Sequence, residues 1–140
     1  MTAAMDYERA QARETTDTSY RYRRADLERV QAMVEARAPG LRDFSFDIVS
    51  FDPSDQDVRF IEVKGRGTAG PVEVIPKEYQ TGLALRSDHL LYVVYECNSE
   101  PQLILVREPM RLEWATTPRG YSLSAEQVRS VGVTIPPGAA

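Results

Sequence analysis

The stretch Phe46-Asp47-Ile48-Val49-Ser50-Phe51-Asp52-Pro53-Ser54-Asp55-Gln56-Asp57-Val58-Arg59-Phe60-Ile61-Glu62-Val63-Lys64 decides how the rest of the chain reads. On either side of Pro53-Ser54-Asp55-Gln56-Asp57 the side chains change character at every second residue, the period of an extended strand. The segment between is rich in turn formers. A hairpin is therefore predicted, with strands over 44–51 and 58–64. On the first strand Phe44, Phe46 and Ile48 fall on one face, and Ser45, Asp47 and Val49 on the other. On the second, Phe60, Glu62 and Lys64 share a face, with Ile61 and Val63 opposite. Pairing about a turn centred between Ser54 and Asp55 makes Asp47 the cross-strand partner of Glu62.

Two carboxylates facing each other repel. A divalent cation between them removes the conflict, and Mg²⁺ commonly takes one or two carboxylates together with waters and a substrate phosphate. Such an ion polarises a phosphoryl oxygen and acidifies a bound water. An ammonium group beside it, from Lys64, can orient that water or stabilise charge on the phosphate. Acid, acid and amine in this arrangement suit phosphodiester hydrolysis. The plainer account of an isolated Glu-x-Lys is a solvated ion-pair cluster worth little energy. The spacing of Asp47 is what weighs against it.

Outward from the hairpin, Leu27, Val30, Val34 and Ala38 recur at helical spacing. Asp17 or Ser19 can cap that helix, and Pro39-Gly40 stops it. Residues 1–18 are polar and read as a flexible arm with a short helix around Tyr7 to Glu14. After the hairpin come a flexible Gly-rich loop (65–70), a strand (71–75), a helix opened by Pro76 (77–86), a near-continuous apolar strand (89–97) and another strand (102–107). A strand over 111–116, a helical turn over 124–129 and a fraying Pro-Pro-Gly-Ala-Ala tail complete the chain. The order α-β-β-β-α-β-β implies an α/β fold with a mixed central sheet flanked by helices. Residues 19–140 read as a single domain.

The 140 residues suit one core, and the net charge of −4 does not advertise nucleic-acid binding by bulk electrostatics, although a local patch can act within an acidic whole. One cysteine, Cys97, and one histidine, His89, exclude an intrachain disulfide and a Cys/His zinc site, and neither is assigned a role. Apolar runs fall short of the ~18 residues that span a bilayer, and the N-terminus lacks a secretory pattern. A cytoplasmic protein without membrane contact is expected. The basic residues are almost all arginine, with Lys64 and Lys77 the only lysines. An apolar strand is thus where one of the two lysines sits. Arg21, Arg23 and Arg24, interleaved with Tyr20 and Tyr22, are candidates for strand binding by charge and stacking, with a solvated helix face as the alternative.

These residues carry a resemblance. The hairpin resembles the core of the PD-(D/E)XK nuclease superfamily, and more narrowly the No Vein-type C-terminal domain, a branch attached to helicases and ATPases. The matching pieces are Phe46 to Ser50, Arg59 to Arg66, Ile75 to Tyr79, Leu91 to Val94, Pro101 to Leu103 and Glu108-Pro109, so the motif core spans about residues 24–109. The resemblance implies a restriction-endonuclease-like core and a Mg²⁺- or Mn²⁺-dependent nuclease acting on nucleic acid, DNA above all. Asp47, Glu62 and the Val63 backbone carbonyl would be metal ligands, and Lys64 the catalytic lysine. The superfamily often adds a first-helix glutamate, for which Glu28 is preferred over Glu35. Arg66 and Lys77 are candidate nucleic-acid contacts.

Two departures stand out. Lys77-Glu78-Tyr79 replaces the usual Asn-Glu-Trp, and Ser45 replaces a glycine. The lost Asn puts substrate contacts in doubt more than metal binding. The alternative function is therefore a catalytically weak or inactive module that holds DNA or docks a helicase or ATPase partner. Residues 1–38 are also a candidate homodimer contact.

Overall fold

The computed structural model describes residues 2–18, 24–52 and 57–136. In chain order the elements are α1 (Thr2–Ala10), β1 (Glu14–Asp17), α2 (Arg24–Arg37), β2 (Ile48–Phe51), β3 (Val58–Gly65), β4 (Val72–Val74), α3 (Pro76–Leu85), β5 (His89–Tyr95), β6 (Gln102–Arg107), β7 (Ala115–Thr117), β8 (Gly120–Leu123), α4 (Ala125–Val131) and β9 (Val133–Ile135). The hairpin forms in the expected register: Ile48 lies opposite Ile61, and Phe51 opposite Val58. Its turn, 53–56, lies outside the described residues.

The main sheet has the strand order β1-β2-β3-β5-β6-β9. Its β3–β5 pair is parallel, and the β1–β2, β2–β3, β5–β6 and β6–β9 pairs are antiparallel. A parallel pair needs a crossover, which α3 supplies. The mixed α/β architecture is thus the one expected. One face of the sheet packs Ile48, Ile61, Leu90, Tyr92 and Leu105 against Ala4 of α1. On the other face, Val49, Phe46 and Phe60 pack against Val30 and Val34 of α2 and Ala38 just beyond it. Leu91, Val93 and Ile104 pack there against Val128 of α4 and Leu123 of β8. Burying each such side chain stabilises the fold by about 1.5–3 kcal/mol before entropy is counted.

Several expectations are corrected. Residues 2–18 are not a loose arm: α1 covers the sheet and β1 extends it, pairing Glu14 with Phe51 and Asp17 with Ile48. The short helix ends at Ala10, before Glu14, and Ala12 takes φ 58° as the chain turns into β1. Asp17 belongs to β1 and does not cap α2, while Ser19 lies outside the described residues. The strand expected over 44–51 starts at Ile48, and Phe44 and Phe46 do not share its face. They stack on each other at 5.2 Å, and Phe46 packs on Phe60 at 5.1 Å, which draws them under α2.

The 71–75 strand forms, but in a second sheet of order β4-β8-β7. Its pairing with β8 places Tyr121 against Tyr79 of α3, ring centroids 3.8 Å apart, with Trp114 edge-on to Tyr79 at 6.2 Å. The strand expected over 111–116 begins only at Ala115. The helical turn is α4, capped by Ser124, whose Oγ accepts the Gln127 N–H at 3.1 Å. Beyond it, β9 precedes the Pro-Pro-Gly-Ala-Ala end, of which residues 137–140 lie outside the described residues. No helix among the described residues is long and apolar enough to cross a membrane.

Candidate metal and catalytic centre

Asp47 sits one residue before β2. Its N–H donates to the Ile61 carbonyl at 2.8 Å and its carbonyl accepts the Thr18 N–H at 2.7 Å, so its backbone is held from both sides. Its carboxylate oxygen Oδ2 accepts the Val63 N–H at 2.8 Å. In an antiparallel ladder the N–H and C=O of one residue leave the strand on the same side. The Val63 carbonyl therefore also points to the edge where β2 has ended and the Asp47 carboxylate stands.

Glu62 lies on the opposite side of the backbone step from Val63, on the face covered by α3. Only 2% of it is exposed, an unusual position for a carboxyl group. Burial pushes its pKa far above the carboxylate range, and the neighbouring Glu78 and Asp47 push it the same way. The charged form of Glu62 is thus disfavoured in this arrangement. Its Oε2 atom has no hydrogen-bond partner among the described residues.

Lys64, two residues on, projects to the same face. Its Nζ donates to Glu78 Oε1 and Oε2 at 3.0 and 3.2 Å and stands 3.8 Å from Glu62 Oε1. Glu78 is fixed in turn: its Oε1 accepts the Ile75 N–H at 2.9 Å, closing the first turn of α3. Burial works to raise the Glu78 pKa, but contacts from Glu62, the Ile75 N–H and Lys64 outweigh it and hold the group below its ordinary value. Glu62 and Glu78 form a pair in which one acid keeps the proton and the other carries the charge.

The structure therefore brings Asp47, Glu62, Val63 and Lys64 together, and adds Glu78, which the sequence reading passed over. A signal for Glu78 existed: a glutamate at the third position of a helix opened by proline is a capping residue, and its carboxylate must lie near the preceding strand. Glu28 is exposed on α2, and Glu35 is also exposed, its Oε2 accepting the Gly40 N–H at 3.0 Å. Arg66 is exposed, and its guanidinium folds back to donate to the Pro71 carbonyl at 2.9 Å. Lys77 pairs with Asp43 at 2.7 Å. Arg21 and Arg23 lie outside the described residues; Arg24 begins α2, and its side chain is not described. His89 is buried at the start of β5, and Cys97 is exposed.

Among the described residues no group of three His, Cys, Asp or Glu side chains is arranged to hold a metal ion. The donor set that is present fits Mg²⁺ or Mn²⁺ all the same. Hard cations of this kind bind through one or two carboxylates with waters making up the shell. Asp47, Glu62 and the Val63 carbonyl supply oxygen only, and Glu62 Oε2 is a buried oxygen that lacks a partner.

The architecture and this site define an α/β chain with an acidic cluster and one lysine at the carboxyl end of a parallel strand, where open α/β sheets place their ligands. The chain belongs to the family described as Protein NO VEIN, C-terminal, which matches residues 1–106. Among solved structures it is similar to Hjc, a Holliday junction resolvase from the archaeal hyperthermophile Archaeoglobus fulgidus. The two share 17% identity over 83% of this chain and 99% of that one, with a TM-score of 0.42. No curated protein matches the chain.

Proposed function

We propose that this chain is a metal-dependent nuclease module that hydrolyses phosphodiester bonds in nucleic acid, with DNA the first substrate to test. The observation that carries the reading is the Glu62 carboxyl, buried, lacking a partner on one oxygen among the described residues, and flanked by Asp47 and Lys64. Burying such a group costs stability unless something uses it. Membership of the No Vein C-terminal family supports the reading, because the matched span, residues 1–106, contains Asp47, Glu62 and Lys64.

Asp47, Glu62 and the Val63 carbonyl would hold Mg²⁺ or Mn²⁺. When bound, the ion would supply Lewis acidity toward a phosphoryl oxygen and a more acidic water. The protein groups do the rest. Asp47 is fixed by its backbone and by the Val63 N–H, so it would meet a cation with little rotamer loss. The Lys64 ammonium lies 3.8 Å from Glu62 Oε1 and is partly exposed, where it would stabilise negative charge growing on a phosphate. Glu62 gives up its proton when a cation takes that place.

A second reading is a module that binds DNA or docks a helicase or ATPase without turnover, alone or as a homodimer. Lys77 favours it, because its ammonium is already engaged by Asp43 at 2.7 Å. Incubating plasmid and single-stranded DNA with the protein in Mn²⁺ or EDTA, beside Lys64→Ala, separates the two. Cleavage that needs Mn²⁺ and vanishes in Lys64→Ala supports the enzyme. Retention of DNA without cleavage, and no Mn²⁺ heat in calorimetry, supports the binding module.

A further inference from the structure

We infer that Glu78 is the positioning residue for Lys64: its carboxylate, anchored on the first turn of α3, holds the ammonium beside the Glu62 carboxyl without letting it bond there. The inference rests on the nuclease reading for what Lys64 does, and on geometry alone for how Lys64 is held.

A lysine stem is flexible and a single amine has little directional preference. Left to itself, Lys64 would visit many rotamers, at an entropic cost to any reaction that needs it in one place. Two carboxyl groups lie within reach. Glu62 Oε1 is 3.8 Å away, beyond hydrogen-bond distance, whereas both Glu78 oxygens lie at 3.0 and 3.2 Å. The amine is therefore bound by Glu78 and only neighboured by Glu62.

Glu78 can serve as an anchor because it is itself immobilised. Its Oε1 accepts the Ile75 N–H at 2.9 Å, in the first turn of α3, where backbone dipoles favour an anion. Pro76 follows Ile75 and has no N–H to compete for that oxygen. From outside, Gly120 of β8 packs so closely on Val74 and Ile75 that a Cβ there would collide with the Val74 carbonyl. A continuous path thus runs from the β8 backbone through Ile75 and Glu78 to the Lys64 amine.

Removing Glu78 would leave Glu62 as the nearest carboxyl. The ammonium would then swing toward the group whose second oxygen has no partner, and the two jobs of holding a cation and presenting an amine would compete for one carboxylate. Glu78 keeps them apart.

The experiment combines kinetics with a lysine probe. Lys64 and Lys77 are the only lysines, so reductive ¹³C-methylation yields two side-chain signals besides that of the amino terminus, and Lys77→Arg assigns them. Glu78→Ala is expected to move the Lys64 methyl signal toward the position of an unrestrained lysine, and Glu78→Gln, which keeps an acceptor, to move it less. In cleavage assays Glu78→Ala should lower kcat by about 100-fold with KM for DNA unchanged. Glu78→Gln should recover most of that loss, and Glu78→Ala should add nothing in a Lys64→Ala background.

The inference is overturned by a Lys64 signal that Glu78→Gln and Glu78→Ala both leave in place. Independent, additive losses in the double variant would overturn it too. So would a drop of about tenfold or more in Mn²⁺ affinity for Glu78→Gln, which would make Glu78 a ligand. A wild-type protein that cleaves nothing removes the nuclease reading, and the methyl signals then decide the placement of Lys64 by themselves. Should Glu78→Ala fail to fold, Glu78→Gln carries both arms.

Discussion

The Asp47 carboxylate accepts the Val63 N–H at 2.8 Å, so one side chain both finishes the β3 hydrogen-bond ladder and borders the acidic cluster. The two roles separate by substitution. Asp47→Asn keeps an acceptor for Val63 and should stay within about 1 kcal/mol of wild type, whereas Asp47→Ala leaves a backbone donor unpaired and should cost about 1–3 kcal/mol. Both should abolish cleavage, because a neutral amide is a poor partner for a hard cation. Urea unfolding and a plasmid assay check the pair. An Asp47→Asn protein that cleaves at the wild-type rate would end the assignment.

Glu62 should make the protein less stable than its fold allows. Its folded pKa is raised, so the folded state holds a proton that the unfolded state releases above the ordinary carboxylate pKa. Stability from this group is complete below that pKa and falls as pH rises toward the raised value. Glu62→Gln removes the dependence and should be more stable than wild type at pH 8 by more than about 1 kcal/mol. Mn²⁺ should reverse the order, stabilising wild type and not the variant, with about one proton released on binding. Equal melting temperatures at pH 8 with and without Mn²⁺ would refute both halves.

The hairpin and its register were legible because alternation and a Pro-Ser-Asp turn fix strand pairing locally. The turn centre and the period set Ile48 opposite Ile61, but Asp47 stands before β2, with its N–H on the Ile61 carbonyl and its carboxylate on the Val63 N–H rather than directly opposite Glu62. The first half of the first strand was not legible. Phe44 and Phe46 keep period two in the sequence, yet they follow the aromatic cluster under α2, a tertiary preference that outweighs local pattern. The N-terminal arm failed for a similar reason. Thr2 to Ala10 has too few apolar residues to read as a buried helix, and what holds it is a charge network to residues up to 84 positions away. Glu78 was hidden by its neighbours: Lys77 and Tyr79 looked like departures from a motif, and the acid between them looked like an ordinary helix-start residue. β7 to β9 are short and partly polar, and they acquire strand character from their partners alone.

His89 should give the fold an acid-sensitive edge. Burial lowers its pKa to about 4 from the ordinary 6.5, with the Phe60 backbone opposing the shift. The unfolded state therefore binds a proton between those values and the folded state does not. Stability from a neutral buried His89 is complete above pH 6.5 and is lost as pH falls toward 4, by up to about 3 kcal/mol. Because His89 is the sole histidine, the difference in unfolding free energy between wild type and His89→Leu isolates it from the opposite trend of Glu62. A difference that stays flat between pH 7 and pH 4.5 would show that the imidazole is not buried in neutral form.

The strongest single stability effect should come from Glu8, far in sequence from the hairpin it locks. Glu8 is fully buried and accepts from Tyr92 Oη at 2.6 Å and from Arg59 at 3.0 Å, with the Arg13 guanidinium 3.3 Å away. Arg13 continues the network to Ser50 Oγ at 2.8 Å and to Asp57 Oδ2 at 3.2 Å. This cluster ties α1 to both strands of the hairpin and to β5. Removing the one acid at its centre leaves two largely buried guanidinium groups short of a counter-charge, which typically costs about 3–5 kcal/mol. Glu8→Ala should therefore unfold at markedly lower denaturant, and Glu8→Gln, which keeps the acceptor and loses the charge, at an intermediate concentration. The Arg59→Met, Glu8→Leu double variant should recover only part of the loss, because it removes one of the two stranded guanidinium groups and leaves Arg13. A Glu8→Ala loss below about 1 kcal/mol would mean that α1 is held by Ala4 and its apolar neighbours rather than by this network.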